Sequence, residues 1–257
     1  MRKAALVTGA SRGMGKAMAR ALLAADYDVA ITAARDEPAL MHASAELATA
    51  FGAERVMGFF ADAGATDGAE GAIRAVCVRF GRLDVLVNNA GRGPREHGLE
   101  QDGSNSAFWD IAPAAWVEVL RGNANGAFLL ARAAAPVLRE QGWGRIVTVS
   151  TDPAAAQRPG FGAHAAAKAA VDALTGHMAR DLAQTGVTAN VLAPGGPVAT
   201  AFQPEGADTS GMLDATVLNE PLVWLCSEAA NAITGARITA TAWRKEDPSQ
   251  SVTPIFA

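Results

Sequence analysis

The chain has 257 residues, half of them apolar and few aromatic, with no composition break, so one large α/β domain with a full core is expected over residues 1–242, followed by a tail over 243–257. A formal charge of −4 without a basic cluster argues against a nucleic-acid partner and points to a small molecule. No signal-peptide layout opens the chain, and Arg132 interrupts the alanine-rich run near 127–138, so a cytoplasmic protein with no membrane association is expected. Cys77 and Cys226 have no metal-ligand spacing and read as two reduced core thiols, and no metal site is expected.

In chain order, Ala4–Thr8 reads as a buried parallel strand that feeds a glycine turn and then a helix, with Ala17, Ala21, Ala24 and Leu22 as its apolar stripe. Free N–H groups and the positive dipole end of that helix face the turn, which makes a phosphate site from Gly9, Ser11, Arg12, Gly13, Met14 and Gly15. The glycine spacing is G-x-x-x-G-x-G. A second strand, Val29–Ala33, ends at Ala34-Arg35 without the carboxylate that holds ribose hydroxyls in an NAD site. Arg35 and Arg12 instead suit a 2'-phosphate, so NADPH/NADP is favoured over NAD, although Asp36 and Glu37 follow at once. After a third strand over 55–60, Asp62 either meets an adenine edge or opens a turn. Further strands are predicted at 83–88, 145–150, 187–192 and 237–240, with helices between them. The alternation predicts a single Rossmann-type doubly wound α/β domain, a seven-stranded parallel sheet flanked by helices, with ligands beyond the carboxyl ends of its strands.

At Asn88-Asn89-Ala90-Gly91 the reading becomes specific. With Thr8 to Gly15, this segment resembles the short-chain dehydrogenase/reductase family, and the likeness runs from residue 3 to about 240. It continues through Asn123, the Ser150-Thr151 pair, Lys168, and Pro194-Gly195 running to Thr200. The resemblance implies a cofactor site that includes Asn89, Ala90, Gly91, Lys168, Pro194, Gly195, Val198 and Thr200. It also implies a homotetramer or homodimer packed through two long helices. The loop from Pro194 has one residue more than the family's P-G-x-x-x-T, which loosens the placement of Val198 and Thr200. The stripe Trp116, Leu120, Asn123, Ala127 and Ala131 independently puts the Asn123 amide on a buried helix face. In the family that amide supports a water joining the lysine to solvent; a structural amide at a kink near Gly122 and Gly126 is the other reading.

The site then departs from the family. Where a Y-x-x-x-K pattern is expected, the chain has His164-Ala165-Ala166-Ala167-Lys168, with both functional residues on one helix face. The only tyrosine, Tyr27, precedes the second strand and is no local substitute. Thr151 takes the position of the family's serine and offers a hydroxyl to orient a carbonyl, while Ser150 points away by strand alternation. Beside Lys168 a buried imidazole should be neutral. Three readings follow: an NADPH-dependent reductase of a carbonyl or imine with Thr151, His164 and Lys168 as its catalytic group; a redox-neutral isomerase, dehydratase or cyclase on the same fold; and a non-catalytic dinucleotide-binding protein.

The segment between Gly91 and Asn123 is roughly ten residues longer than in common family members. Arg92, Arg95, Glu96, His97, Asp102, Phe108, Trp109 and Asp110 are available there to a capping or contact loop. Residues 201–220 read as a short lid with Pro204, Gly206 and Gly211. The tail after Trp243 either docks on a neighbouring subunit or stays disordered.

Overall fold

The computed structural model describes residues 1–92, 107–152, 161–200 and 208–256. Eight strands form one sheet in the order β3-β2-β1-β4-β5-β6-β7-β8. They are β1 (Ala4–Thr8), β2 (Asp28–Ala33), β3 (Val56–Phe60), β4 (Val85–Asn88), β5 (Gly144–Val149), β6 (Val187–Ala193), β7 (Ala236–Thr239) and β8 (Val252–Pro254). The first seven pair in parallel, and β8 adds to β7 in antiparallel register. The expectation of seven parallel strands is therefore corrected to seven plus one. Val252-Thr253-Pro254 is a three-residue edge strand behind a polar stretch, and proline is tolerated at an edge, so no apolar run announced it. Phe256 then packs on its own chain, since a Cβ on Gly176 would lie 2.6 Å from its ring.

The helices are α1 (Gly13–Ala24), α2 (Glu37–Phe51), α3 (Thr66–Phe80), α4 (Pro113–Leu120), α5 (Gly126–Glu140), α6 (Gly162–Asp181) and α7 (Asn219–Leu225). Side chains alternate across β1: Ala5 and Val7 enter one core with α1, α2 and α7, while Ala4 and Leu6 enter another with α3, α5 and α6. Burial on both faces explains why β1 reads as a continuous apolar run. The buried stripe of α1 is Met18, Ala19, Leu22 and Leu23 rather than the alanine line through 17, 21 and 24, because the larger side chains take the core face.

A π-helical turn, Arg121–Asn125, joins α4 to α5. The extra residue in that turn rotates the faces on its two sides against each other. Asn123, Ala127 and Ala131 are buried as expected, but Trp116 is exposed and Val119 takes the buried position in α4. Among the described residues, no helix is long and apolar enough to cross a membrane. Cys226 is buried, whereas Cys77 is only half-buried, so the reading of two core thiols holds for one.

Candidate active site

The strand order reverses between β1 and β4, and the loops leaving their carboxyl ends are bound to each other. The Thr8 hydroxyl accepts from the N–H groups of Asn89 (3.1 Å) and Ala90 (3.0 Å). Asn89 Nδ2 donates to the carbonyls of Thr8 (2.8 Å) and Gly9 (3.1 Å). Glycine is required where these segments touch. A Cβ on Gly9, at φ 64°, would lie 2.7 Å from Ala90 Cα, and one on Gly15 would lie 2.4 Å from the Gly9 carbonyl oxygen. α1 starts at Arg12 with no side chain capping its first turn among the described residues, which leaves its dipole end suited to an anion. Gly15→Ala is expected to cost about 1–3 kcal/mol through backbone displacement, read as a lower thermal midpoint. An unchanged midpoint would mean the turn yields without strain.

Thr200 rests on the glycine loop, 3.3 Å from where a Gly13 Cβ would stand. Pro194 and Gly195 follow β6 directly; Gly195 has φ 88°, and Thr241 leaves no room there for a side chain. Val198 bridges to Leu213. Arg12 and Arg35 stand at the same end of the sheet, with Asp36 between glycine loop and α2. The Asp36 carboxylate caps α2 through the Ala39 N–H (3.1 Å) and pairs with Arg12 (3.3 Å).

Asp62 is already engaged: its carboxylate pairs with Arg121 and accepts from the Gly64 N–H (2.9 Å). Arg121 also lies 3.5 Å from Glu118, which pairs with Arg92. Desolvation is the largest single influence on the Glu118 carboxyl and pushes its pKa up, but the charges of Arg92, Arg121 and Arg35 with the Arg92 hydrogen bond together hold it below its ordinary range. Glu118 and Arg121 are three residues apart on one helical stretch, but Asp62 after β3 and Arg92 after β4 reach them only through the fold, so this chain of ion pairs was not legible in the sequence.

Lys168 and His164 lie one turn apart on the buried face of α6. Lys168 Nζ donates to the Val149 carbonyl at the end of β5 (2.9 Å), and burial lowers its pKa to about 8 against the opposing charge of Asp172. Burial, followed by repulsion from Lys168, lowers His164 to about 4, so the ring is neutral at pH 7. Its Nδ1 faces the Arg92 carbonyl at 3.3 Å. That carbonyl also accepts from Asn123 Nδ2 (3.1 Å), which donates in addition to Val119 (2.9 Å). A Cβ on Gly91 would lie 2.6 Å from Asn123 Oδ1 and 3.7 Å from Lys168 Nζ. Gly91, Asn123 and Lys168 thus share one small space, in which Asn123 Oδ1 is buried without a hydrogen-bond partner among the described residues. A water is the natural way to satisfy it.

Thr151 follows β5, and its carbonyl accepts from Arg237 Nη1 on β7 (3.2 Å). Arg237 also pairs with Asp172, one turn beyond Lys168. Burial raises the Asp172 pKa, opposed by Ser150, Arg237 and Lys168. The buried Ser150 hydroxyl lies close enough to favour the charged carboxylate, short of a well-formed hydrogen bond. Asp172 was legible as Lys168 plus four on a helix; Arg237, across the sheet, was not. Tyr27 is buried with its hydroxyl donating to the Cys226 carbonyl, far along the chain from this cluster.

Arg95, Glu96, His97, Asp102, Pro204 and Gly206 lie outside the described residues. Phe108 and Trp109 are exposed and meet edge to face at 5.0 Å. Among the described residues, no group of three His, Cys, Asp or Glu side chains could hold a metal ion.

The family model described as short chain dehydrogenase matches residues 3–210. Over 197 residues the chain is 35% identical to 3-oxoacyl-[acyl-carrier-protein] reductase FabG of Staphylococcus aureus, which covers 76% of this chain and 74% of that protein. Among solved structures, a variant actinorhodin polyketide ketoreductase with NADPH superposes with a TM-score of 0.79 and 27% identity, covering 91% of this chain and 93% of its own. Acetoin dehydrogenase YohF from Salmonella typhimurium gives 0.79 and 31%, covering 93% and 94%.

Proposed function

The chain belongs to the short chain dehydrogenase family of oxidoreductases, and within it we propose an NADPH-linked enzyme that interconverts a carbonyl, or imine, and its reduced form on a small organic substrate. The observation that carries this reading is the convergence of His164, Lys168, Asn123 and Gly91 beside the glycine loop and the Asn89-Ala90 segment. A bound nicotinamide dinucleotide supplies hydride exchange with a substrate carbon. The glycine cradle that any Cβ would fill and the uncapped start of α1 fit its pyrophosphate.

The protein's own part is positional and protonic. Thr151 orients the substrate oxygen through its hydroxyl, His164 exchanges the proton at that oxygen, and Lys168 holds the ribose side of the site. Asn123 keeps a water between lysine and solvent.

The preference for NADPH is supported by the state of Asp36. With one oxygen on the α2 N-terminus and the other facing Arg12, that carboxylate is engaged by the protein rather than offered to ribose hydroxyls. Arg12 and Arg35 then favour a 2'-phosphate. Arg35→Ala is expected to weaken NADPH binding about 10- to 100-fold, the worth of a charge-assisted hydrogen bond, and to leave NADH binding within about threefold. Equal losses for both nucleotides would remove the 2'-phosphate assignment.

The deciding experiment is calorimetric titration of the wild-type protein with NADPH and NADH, followed in the same samples by a ketone, imine and alcohol panel. Tighter NADPH binding with nucleotide-dependent turnover is expected. Turnover that survives removal of nucleotide would transfer the site to redox-neutral chemistry.

A further inference from the structure

A neutral imidazole is a donor at one nitrogen and an acceptor at the other, and the neighbour of either nitrogen decides which. The neighbour of His164 Nδ1 is the Arg92 main-chain carbonyl at 3.3 Å. A carbonyl only accepts, so the ring nitrogen that faces it carries the hydrogen.

Arg92 is held at three points, one on its carbonyl and two on its side chain. Asn123 Nδ2 donates to the carbonyl at 3.1 Å and is itself anchored on the Val119 carbonyl at 2.9 Å. The Arg92 side chain pairs with Glu118. Its stem lies flat on the π-helical turn, where a Cβ on Gly122 would stand 2.9 Å from Arg92 Cγ. Phe161 meets the ring edge to face with centroids 6.3 Å apart, which limits its rotation.

We propose that Arg92, through its main-chain carbonyl and with Asn123 and Glu118 as supports, is the positioning residue that fixes the His164 proton on Nδ1 and makes Nε2 the proton acceptor of the site. The inference rests on the reading of His164 as the proton-exchanging group and gives that reading a direction. The step it assigns is removal of a proton from a substrate hydroxyl. The O–H bond breaks and a new N–H bond forms at Nε2, turning the ring into imidazolium. The electron pair left on oxygen becomes the second bond of the carbonyl as the carbon gives hydride to oxidised nicotinamide dinucleotide, the oxidant in that reading. Alcohol oxidation is thus the direction for which the resting ring is ready, whereas reduction must first protonate it.

The test reads the ring itself. Full-length protein labelled with 15N-histidine, at neutral pH and without nucleotide, is examined by long-range 1H–15N correlation spectra. His164→Asn assigns the signal by its loss; should that variant not fold, His42→Gln, His97→Gln and His177→Gln assign it by elimination. The pattern of a protonated Nδ1 and an unprotonated Nε2 is expected. A protonated Nε2, or an imidazolium, would overturn the proposal. Glu118→Gln and Asn123→Ala are each expected to bring in the other tautomer, and a wild-type pattern in both would remove the supporting role of these residues. NADPH titration of the same samples separates the two readings. Binding with the hydrogen on Nε2 overturns this inference alone, while failure to bind with the hydrogen on Nδ1 overturns the oxidoreductase reading alone.

Discussion

Lys168→Met is expected to lower turnover at least about 100-fold, the scale set by misplaced reacting groups, while raising the thermal midpoint at pH 7. The two effects have one cause. Lys168 is 8% exposed and its folded-state pKa is about 8, with burial as the cause. An unfolded lysine titrates near 10.5. Below pH 8 the group is charged in both states, and the folded protein carries the full cost of burying that charge, roughly 3 kcal/mol. Loss of the hydrogen bond to Val149 and the orphaned carbonyl offset about 1–2 kcal/mol of this in the methionine variant. The net gain of about 1–2 kcal/mol corresponds to a few degrees in a chain of this length.

The sign of the pH dependence follows. Between pH 8 and 10.5 the unfolded state holds more protons than the folded one, so the wild type gains stability with rising pH and the gap to Lys168→Met closes. Melting curves across that range, with turnover measured at pH 7, give both readouts. A methionine variant that keeps turnover within about threefold would remove Lys168 from the site. One that melts lower at pH 7 would show that the lysine is a net structural asset.

Such a stability cost is what a functional residue in a buried position looks like, and it bears on what sequence reasoning could see. The sheet was legible because β1, β2, β4, β5 and β6 are short runs rich in apolar and β-branched residues set between helical stretches, a pattern that needs no knowledge of partners. β8 was not, because its hydrogen bonds rather than its side chains hold it on β7. The pairing of His164 with Lys168 followed from helical spacing, and the approach of Asn89-Ala90 to the glycine loop from the order of motifs. Trp116 misled because periodicity assumes a regular helix, and the π turn at Arg121–Asn125 adds a residue between the two halves of the stripe. The tautomer of His164 could not be read at all. It depends on where a main-chain carbonyl points, and every residue type has one.

The same holds for Arg237, whose role is visible only once β7 and α6 are brought together. Its guanidinium joins the Thr151 carbonyl at the end of β5 to Asp172 on α6, and the side chains of the ion pair are 14% and 20% exposed. Removing one partner of a buried pair strands the other charge, which typically costs about 3–5 kcal/mol. Arg237→Leu and Asp172→Leu are each expected to approach that range in chemical denaturation. Arg237→Leu is the milder of the two, because burial already raises the pKa of the stranded Asp172 and favours its neutral form, whereas an Arg237 left without Asp172 cannot shed its charge. The double variant Asp172→Leu/Arg237→Leu should recover most of the stability, since replacing both charges with packed apolar groups is often close to neutral. Activity is expected to separate from stability in that double variant. The Thr151 carbonyl has then lost its donor, and Lys168 has lost the carboxylate that raises its pKa. A stable double variant with reduced turnover and an altered pH profile would assign the pair to positioning the site. Full recovery of both stability and turnover would make Arg237 and Asp172 structural only, and additive losses in the double variant would mean that the two side chains do not act as a pair.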